Sequence, residues 1–190
     1  MQPFPLKYIY VCWIVVGIVW LIGAFLAKRT ARKQSLVTRL SQVAVAVAIF
    51  ALLYGNKMRL SGLAKRFVPD TAATAWVGLS LTIAGCGLAI LARFYLGGNW
   101  SGIVTIKQGH TLVRTGPYAL VRNPIYSGFL LAALGFAIAA GHFRDLLASI
   151  VMLAVFVYKI SIEERFMREQ FGEQYLQYKR ETKALIPYVW

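Results

Sequence analysis

The sequence predicts an all-α, polytopic membrane protein with about five transmembrane helices, which form one integral membrane domain over residues 1–190. Two observations support this fold class. Hydrophobic residues make up 58% of the 190-residue chain, which is more than an ordinary soluble domain carries. These residues also occur in long uncharged runs with lysines and arginines at their ends, as is typical of helices that leave a bilayer.

Five apolar segments are candidates for the spans. At about 1.5 Å per residue, a helix of about twenty residues crosses a hydrocarbon core of about 30 Å. The predicted spans are residues 8–27, 40–54 (extended back toward Leu36), 76–96, 125–140 and 146–162. The first run has a length that would also suit a signal peptide. A single preceding lysine and the lack of a clear small-x-small cleavage site favour an uncleaved span.

Polar segments divide these spans into two halves. The last two spans are joined by a tight polar turn at residues 141–145, which predicts an antiparallel helical hairpin. The basic loop at residues 55–74 is expected to lie along a headgroup surface as an amphipathic piece. Residues 1–96 are therefore expected to form a three-span scaffold. Residues 97–190 contain a long connection, the hairpin and a C-terminal amphipathic helix, and this half carries the candidate chemistry.

The charge and cysteine content exclude several classes of partner. The net charge of +14 does not predict nucleic-acid binding, because the basic residues flank apolar runs, where they meet anionic headgroups. The predicted partner is the lipid bilayer. Cys12 and Cys86 each lie inside an apolar run without CxxC or Cys/His spacing, so both are expected to be packing residues and no metal site is predicted. The sequence carries no signal of oligomeric state.

The distribution of basic residues predicts the orientation of the chain. Five spans place the two termini on opposite sides of the membrane. Most of the 21 lysines and arginines fall on the side of the C-terminus when the spans are threaded in order. The positive-inside rule therefore predicts that the C-terminus and the connection at residues 97–122 are cytoplasmic, with the N-terminus on the opposite side.

The candidate chemistry centres on residues 112–128, LVRTGPYALVRNPIYSG, where the long connection enters the fourth span. Asn123 precedes Pro124, so a helix is expected to begin at the proline with Asn123 as its N-cap. That helix start and the adjacent Arg122 would form an anion site at the membrane surface, because free backbone N–H groups and a guanidinium both bind carboxylates. An Arg122 that is only an interfacial anchor beside an ordinary helix start explains the spacing equally well.

A second polar cluster follows the fifth span, whose helix is expected to run on into water until Gly172 ends it. Glu163 and Glu164 lie in this extension. Glu164 has Arg168 at the favourable i,i+4 spacing, so one glutamate is expected to pair there while the other faces the Arg122 loop. A carboxylate in that place suits a cation or ribose hydroxyls.

The segment after this helix is expected to be amphipathic and to place apolar side chains at the membrane interface. These side chains are Tyr175, Tyr178, Leu185 and Trp190. His110, a lone histidine in the long connection, fits either surface hydrogen bonding or a role in a site.

Three stretches, taken in order, carry a resemblance to a known family: GHTLVRTGPYALVRNPIYSG, IEERFMREQFG and EQYLQYKRETKALIP. From Gly109 to the C-terminus, the chain resembles the isoprenylcysteine carboxyl methyltransferase family of membrane enzymes. The resemblance implies a cytosolic-side pocket for S-adenosylmethionine, which leaves as S-adenosylhomocysteine. It also implies that a lipid-linked, isoprenylcysteine-like acceptor enters from the bilayer and receives the methyl group on its carboxylate.

The resemblance implies roles for individual residues. The cofactor-binding positions that it implies are His110, Val113, Gly116, Tyr118, Asn123, Pro124, Tyr126, Glu163 and Glu164. The acceptor-binding positions are Arg122 and Lys159, and the catalytic positions are Arg122, Asn123 and Glu163. Two positions depart from the family pattern: Asn123 stands where the family usually has histidine, and Lys159 stands where an arginine is expected ahead of the glutamates.

Two other functions are compatible with the sequence. Methyl transfer to a carboxylate needs no general base, because that nucleophile is already ionised near neutral pH. Methylation of a phospholipid amine, or of another small molecule on the same fold, is one alternative, and an amine would need a base. A non-catalytic membrane protein or a small transporter is the other. The spans carry essentially no ionisable residues at mid-membrane, which disfavours a transporter.

Overall fold

The computed structural model describes residues 4–25, 30–33, 40, 62–97, 105–107 and 111–189. Five α-helices, one short 3-10 helix and a two-stranded ribbon are found in these ranges. In chain order they are α1 (Phe4–Phe25), β1 (Thr30–Lys33), α2 (Ala72–Leu96), β2 (Thr105–Lys107), the 3-10 helix (Gly116–Ala119), α3 (Pro124–Ala140), α4 (Phe143–Phe171) and α5 (Glu173–Glu181). The predicted helical fold class is confirmed.

Four of the five predicted spans correspond to these helices. Within the described part of the chain, three helices are long and apolar enough to cross a membrane, namely Leu6–Phe25, Ala72–Leu96 and Phe143–Phe171. The helix α3 is apolar but has 17 residues, which gives it a length of about 25 Å. The predicted span at residues 40–54 lies outside the described residues, apart from residue 40 itself.

The ribbon joins two segments that are far apart in sequence. Strands β1 and β2 pair antiparallel, with Thr30 opposite Lys107 and Lys33 opposite Thr105. No strand was predicted in either segment. The pairing places the C-terminal end of α1 and the long connection before α3 at the same end of the molecule, because paired strands lie about 5 Å apart.

Helices α2 and α3 pack through small residues and form the centre of the fold. A Cβ atom added to Gly78 would lie 2.5 Å from the carbonyl oxygen of Gly135, and one added to Gly128 would lie 2.6 Å from the backbone nitrogen of Ala89. The two backbones therefore touch, as in membrane helix pairs that associate through small residues. Between them, the buried Thr82 hydroxyl donates to the Gly78 carbonyl at 2.9 Å.

Helix α1 packs against this pair through aromatic residues and one buried arginine. Trp13 stacks on Phe129 of α3, with 6.0 Å between the ring centroids. The guanidinium of Arg93, near the end of α2, donates to the carbonyls of Gly23 and Gly97 at 2.8 Å each. These bonds hold the C-terminal end of α1 against the end of α2.

The two cysteines lie in this packed region, as predicted. Both are free thiols, and Cys86 is buried. Cys86 belongs to a cluster with Val16 and Ala132, against which Cys12 packs. The prediction that both cysteines are packing residues is confirmed.

The turn between α3 and α4 is shorter than predicted and is covered by the preceding loop. Gly141 ends α3 in the left-handed conformation, with φ of 81°, and α4 begins at Phe143. Phe67 donates from its backbone nitrogen to the Gly141 carbonyl at 2.8 Å, and Phe143 donates to the Lys65 carbonyl at 3.1 Å. The described part of the basic loop is therefore bound to the hairpin turn, whereas a surface-lying amphipathic piece was expected.

Candidate active site

The polar loop before α3 is held in place by α2 and α5. Gly116, which begins the 3-10 helix, has φ of 58° and faces the ring of Tyr95, where an added Cβ would collide. Both the positive φ and the close ring require glycine. Tyr118 is buried, and its carbonyl accepts a hydrogen bond of 2.6 Å from the Tyr178 hydroxyl of α5. Val113 packs on the same buried cluster.

Arg122 lies at the centre of a network that joins this loop to α4 and α5. Its Nε and Nη2 atoms donate to Oε1 of Glu164 at 2.9 and 2.8 Å, and its Nη1 donates to the carbonyls of Lys179 and Thr182. The Lys179 ammonium binds the other oxygen of Glu164 at 2.5 Å. The side chains of Arg122 and Glu164 are 8% and 11% exposed.

This network corrects one prediction from the sequence. Glu164 was a candidate to pair with Arg168 along its own helix. The structure instead gives it Arg122 and Lys179, both from other elements. The expectation that one glutamate meets the Arg122 loop is confirmed. The i,i+4 rule describes an isolated helix surface, and here a buried guanidinium competes successfully for the same carboxylate.

Asn123 stands at the N-cap position of α3, but its side chain makes no capping hydrogen bond. The prediction of a side-chain cap is therefore wrong. The Asn123 amide instead donates from Nδ2 to the carbonyl of Ala184 at 3.1 Å. With a ψ of 58°, Asn123 lies outside the extended conformation that a capping side chain usually needs. Pro124, the first residue of the helix, is fully buried.

The second glutamate faces the first turn of α3. The Tyr126 hydroxyl donates to Oε1 of Glu163 at 2.7 Å. The Lys159 ammonium lies 5.3 Å from the centroid of the Tyr126 ring, within the range of a cation–π interaction. Phe156 of α4 stacks on the Tyr126 ring, with 4.6 Å between the ring centroids. Glu163, Lys159 and Tyr126 are each half-buried.

The tyrosines of α5 point into the protein. Tyr175 and Tyr178 are buried, as is Leu185 beyond the helix, so the prediction that these residues line the membrane interface is wrong. Burial raises the pKa of Tyr178 to about 12, although the cations Arg122 and Arg114 oppose this shift. Burial likewise raises the pKa of Tyr118 and that of Tyr175. Trp190 lies outside the described residues.

The structure brings together most of the residues proposed from the sequence. They form two neighbouring groups, one of Arg122, Asn123 and Glu164 and the other of Tyr126, Lys159 and Glu163. Val113, Gly116, Tyr118 and Pro124 shape the loop beside them, and His110 lies outside the described residues. The roles implied for all of these residues remain predictions.

Residues of the C-terminal segment were missed by sequence reasoning. The Ser127 hydroxyl donates to the Leu185 carbonyl at 2.6 Å, and the Lys179 and Thr182 carbonyls accept from Arg122. Most of these contacts use backbone atoms, which leave no residue-specific signal in a sequence. The i,i+4 spacing of Asn123 and Ser127 is the one available sign that both face the same neighbour.

Comparison with known proteins assigns the chain to a family. Residues 73–174, more than half of the chain, match the profile of the phospholipid methyltransferase family. The chain belongs to this family. The matched region contains α2 except its first residue, the polar loop, α3 and all of α4, so it includes both polar groups of the candidate site.

Within the family, the chain is similar to protein-S-isoprenylcysteine O-methyltransferases, which confirms the resemblance seen in the motifs. It is 38% identical to the enzyme of Schizosaccharomyces pombe over 101 residues, which cover 52% of this chain and 43% of that protein. It is 29% identical to enzyme B of Arabidopsis thaliana over 129 residues, which cover 65% and 66%. It is 32% identical to the enzyme of Saccharomyces cerevisiae over 118 residues, which cover 57% and 49%. The match therefore spans between 43% and 66% of the length of these relatives.

A solved structure has a similar fold. The eukaryotic intramembrane Ras methyltransferase, an isoprenylcysteine carboxyl methyltransferase, superposes with a TM-score of 0.57 and 24% sequence identity. The alignment covers 78% of this chain and 53% of that one. The chain is thus an integral membrane protein with a polytopic helical fold.

Proposed function

We propose that the chain is a membrane methyltransferase that moves a methyl group from S-adenosylmethionine to the carboxylate of a lipid-linked, isoprenylcysteine-like acceptor. The observation that carries this proposal is the group formed by Tyr126, in the first turn of α3, with Lys159 and Glu163 of α4. It combines one carboxylate, one ammonium and aromatic walls, and it lies in the part of the chain that matches the methyltransferase family.

The Glu163 carboxylate fits the methyl donor. One of its oxygens accepts from the Tyr126 hydroxyl, and the group is half-buried. A carboxylate has about four lone-pair positions, so Glu163 can also accept ribose hydroxyls or attract a sulfonium. When bound, S-adenosylmethionine supplies an electrophilic methyl group. Val113, Gly116 and Tyr118 are the other proposed donor-binding residues, and His110 is proposed from the motif alone.

Lys159 is proposed to hold the carboxylate of the acceptor. It lies on α4, one turn before Glu163, and its ammonium extends over the Tyr126 ring. Along α4, Lys159 lies between the apolar part of the helix and the two glutamates, so it is the nearer of these groups to the proposed span, from which a lipid-linked acid would arrive. An acceptor carboxylate is ionised near neutral pH and needs no base, so the residues have to align the two reactants and exclude water.

We further propose that this end of the molecule is cytoplasmic. The basic residues predicted on the side of the C-terminus support this orientation through the positive-inside rule. A methyl donor made in the cytosol could then reach the loop without crossing the membrane.

A second candidate function is methylation of a lipid amine, because the matching family profile bears the name phospholipid methyltransferase. An ammonium acceptor must lose a proton before it attacks the methyl group. Glu163, the carboxylate in contact with Tyr126, would be the residue that takes this proton. The two candidates therefore use the same residues and differ in the acceptor.

The test uses the full chain in lipid nanodiscs and S-adenosylmethionine labelled on its methyl group. We expect label to pass to a farnesylated cysteine with a free carboxylate and to be released by mild base, because a methyl ester hydrolyses. Label found only on phosphatidylethanolamine, in base-stable form, would replace this proposal with the second candidate. Label on neither acceptor would contradict both.

Variants connect the activity to the proposed residues. Glu163→Gln should weaken S-adenosylhomocysteine binding in calorimetry, whereas Glu173→Gln, in an exposed pair with Arg180, should not. Lys159→Ala should raise the acceptor KM, and Lys159→Arg should keep or lower it because a guanidinium grips a carboxylate with two hydrogen bonds. Unchanged donor affinity in Glu163→Gln would remove Glu163 from the donor site.

A further inference from the structure

The C-terminal segment at residues 182–185, here called the C-terminal strap, is bound across the N-terminus of α3. Each of its four carbonyls accepts a hydrogen bond from residues 122–127. Thr182 accepts from the Arg122 guanidinium, and Lys183 accepts from the Arg122 backbone nitrogen at 2.8 Å. The strap therefore binds the guanidinium that the sequence offered for an anion site.

The remaining two carbonyls of the C-terminal strap complete this pattern. Ala184 accepts from the backbone nitrogen of Asn123 at 3.1 Å and from its Nδ2 at 3.1 Å. Leu185 accepts from the Ser127 hydroxyl at 2.6 Å. Thr182, Ala184 and Leu185 are buried. An element held through four consecutive carbonyls is built into the fold.

The hydrogen-bonding capacity of Arg122 is almost fully used within the protein. A guanidinium has five N–H donors. Nε and Nη2 each bind Glu164, and Nη1 binds the carbonyls of Lys179 and Thr182. A bidentate grip on a ligand carboxylate needs two parallel N–H groups on one side of the fork. At most one donor remains, and the side chain is 8% exposed.

We propose that Arg122 is a positioning residue that fastens the C-terminal strap, and that Glu164 orients its guanidinium for this task. Arg122 then acts on methyl transfer indirectly. It joins α4, α5 and the strap to the start of α3, whose first turn carries Tyr126, the residue that binds Glu163. This proposal rests on the proposed function only for its kinetic measurements, because the fastening of the strap is a property of the protein alone.

Hydrogen–deuterium exchange measures the fastening directly in the full chain in nanodiscs. The backbone N–H groups of Arg122 and Asn123 are bound to the strap, so the peptide covering residues 118–127 reports on it. We expect Arg122→Lys to speed exchange by about tenfold or more, as expected for the loss of charge-assisted hydrogen bonds. Glu164→Gln keeps the shape of the side chain and removes only its charge. It should therefore speed exchange of the same peptide by a smaller factor.

A matched control is the pair of Arg114 and Glu181, which also connects the loop to α5. This pair is more exposed, at 36% and 48%, and it does not bind the strap. Arg114→Lys and Glu181→Gln should leave exchange of the 118–127 peptide unchanged. An increase equal to that of Arg122→Lys would overturn the specific role of Arg122.

Kinetics separates a positioning role from direct binding of the acceptor. A positioning role predicts that Arg122→Lys lowers kcat, with the acceptor KM changed by less than about twofold. A large rise in the acceptor KM with normal exchange would make Arg122 a substrate ligand and overturn the proposal. Exchange requires no substrate, so faster exchange with no methyl transfer in the wild type would contradict the proposed function and still support the strap.

A charge reversal provides the last discriminating variant. Arg122→Glu with Glu164→Arg keeps an ion pair but moves the guanidinium onto α4, away from the strap carbonyls. We expect this double variant to exchange as fast as Arg122→Lys. Restored protection of the 118–127 peptide would show that only the ion pair matters, and would contradict the fastening role.

Discussion

Asn123 lies at the predicted position before α3, but its side chain binds a different partner from the one predicted. It precedes α3 as predicted, yet its amide binds the Ala184 carbonyl of the C-terminal strap. The resemblance to isoprenylcysteine carboxyl methyltransferases implies histidine at this position. Histidine also carries an N–H donor, so both residues are able to bind a strap carbonyl.

Asn123→Ala is expected to lower the free energy of unfolding by roughly 0.5–1.5 kcal/mol, the usual net value of one hydrogen bond. Asn123→Asp should lower it further, because a carboxylate would face the Ala184 carbonyl without a donor. Asn123→His should be the least harmful of the three. Thermal unfolding in detergent measures the order, and an aspartate variant as stable as the wild type would instead support capping.

The contribution of Tyr178 to the free energy of unfolding is expected to depend on pH. Its hydroxyl binds the Tyr118 carbonyl, and burial raises its pKa from 10.0 to about 12. Below about pH 10, the phenol is neutral in both folded and unfolded chains. Between about pH 10 and 12, only the unfolded chain loses the proton, so the free energy of unfolding falls as pH rises.

Tyr178→Phe should therefore be less stable than the wild type at pH 8, because it lacks one hydrogen bond, and should lose less stability between pH 9 and pH 12. Denaturant titrations at several pH values provide the measurement. Equal alkaline slopes in the two proteins would mean that other groups, such as Tyr118 and Tyr175, cause the whole effect.

At the scale of elements, the contact of α2 with α3 depends on glycines at the helix surface. A Cβ on Gly85 would lie 2.5 Å from the Gly128 carbonyl oxygen, whereas a Cβ on Gly87 has nothing within 4 Å. The two glycines are on the same helix and two residues apart. They therefore form a matched pair for the same substitution.

Gly85→Ala should destabilise the protein by about 1–3 kcal/mol, because the two backbones must move apart. Gly87→Ala should be neutral or stabilising by up to about 1 kcal/mol, since alanine is the better helix former. Unfolding temperatures of both variants give the comparison. Similar losses for both would mean that helix propensity, and not the close contact, determines the effect.

At the scale of the whole molecule, the two ends of the hairpin differ. One end carries the ribbon, the Arg122 network and α5, and the other carries the loop of Arg66 and Asp70 bound to the turn after α3. Helix α4 connects the two ends over 29 residues, which is about 43 Å. The proposed orientation places the end with Arg122 in the cytoplasm.

Single cysteines at Asp70 and Glu173, both exposed, test this orientation. A membrane-impermeant maleimide should label Asp70→Cys on intact cells and Glu173→Cys only after permeabilisation. The wild type, with Cys12 and Cys86 inside apolar helices, serves as the blank. The opposite labelling pattern would invert the proposed topology.

Local signals in the sequence determined much of the fold. Long apolar runs gave four of the helices, because hydrocarbon thickness sets the length of a span. Pro124 marked the start of α3, and Gly172, with φ of 52°, marked the break between α4 and α5. Each of these signals acts within a few residues, so it can be read without knowledge of the rest of the chain.

Family motifs also named residues that the structure brings close together, but they did not give the partners of those residues. Glu164 was expected to bind a neighbour on its own helix and instead binds Arg122, from a loop 42 residues away. Asn123 was expected to cap α3 and instead binds a carbonyl 61 residues away. Periodicity reports which face a residue occupies, and it does not report which distant segment packs on that face.

Only the tertiary structure decided that the strap lies on the start of α3 and that α2 and α3 touch through glycine. The strap is held through backbone carbonyls, which every residue has, so its sequence carries no specific mark. The glycines look like ordinary members of apolar helices until another backbone lies beside them. The sequence determined the elements and the candidate residues, and close packing between distant segments determined which atoms those residues bind.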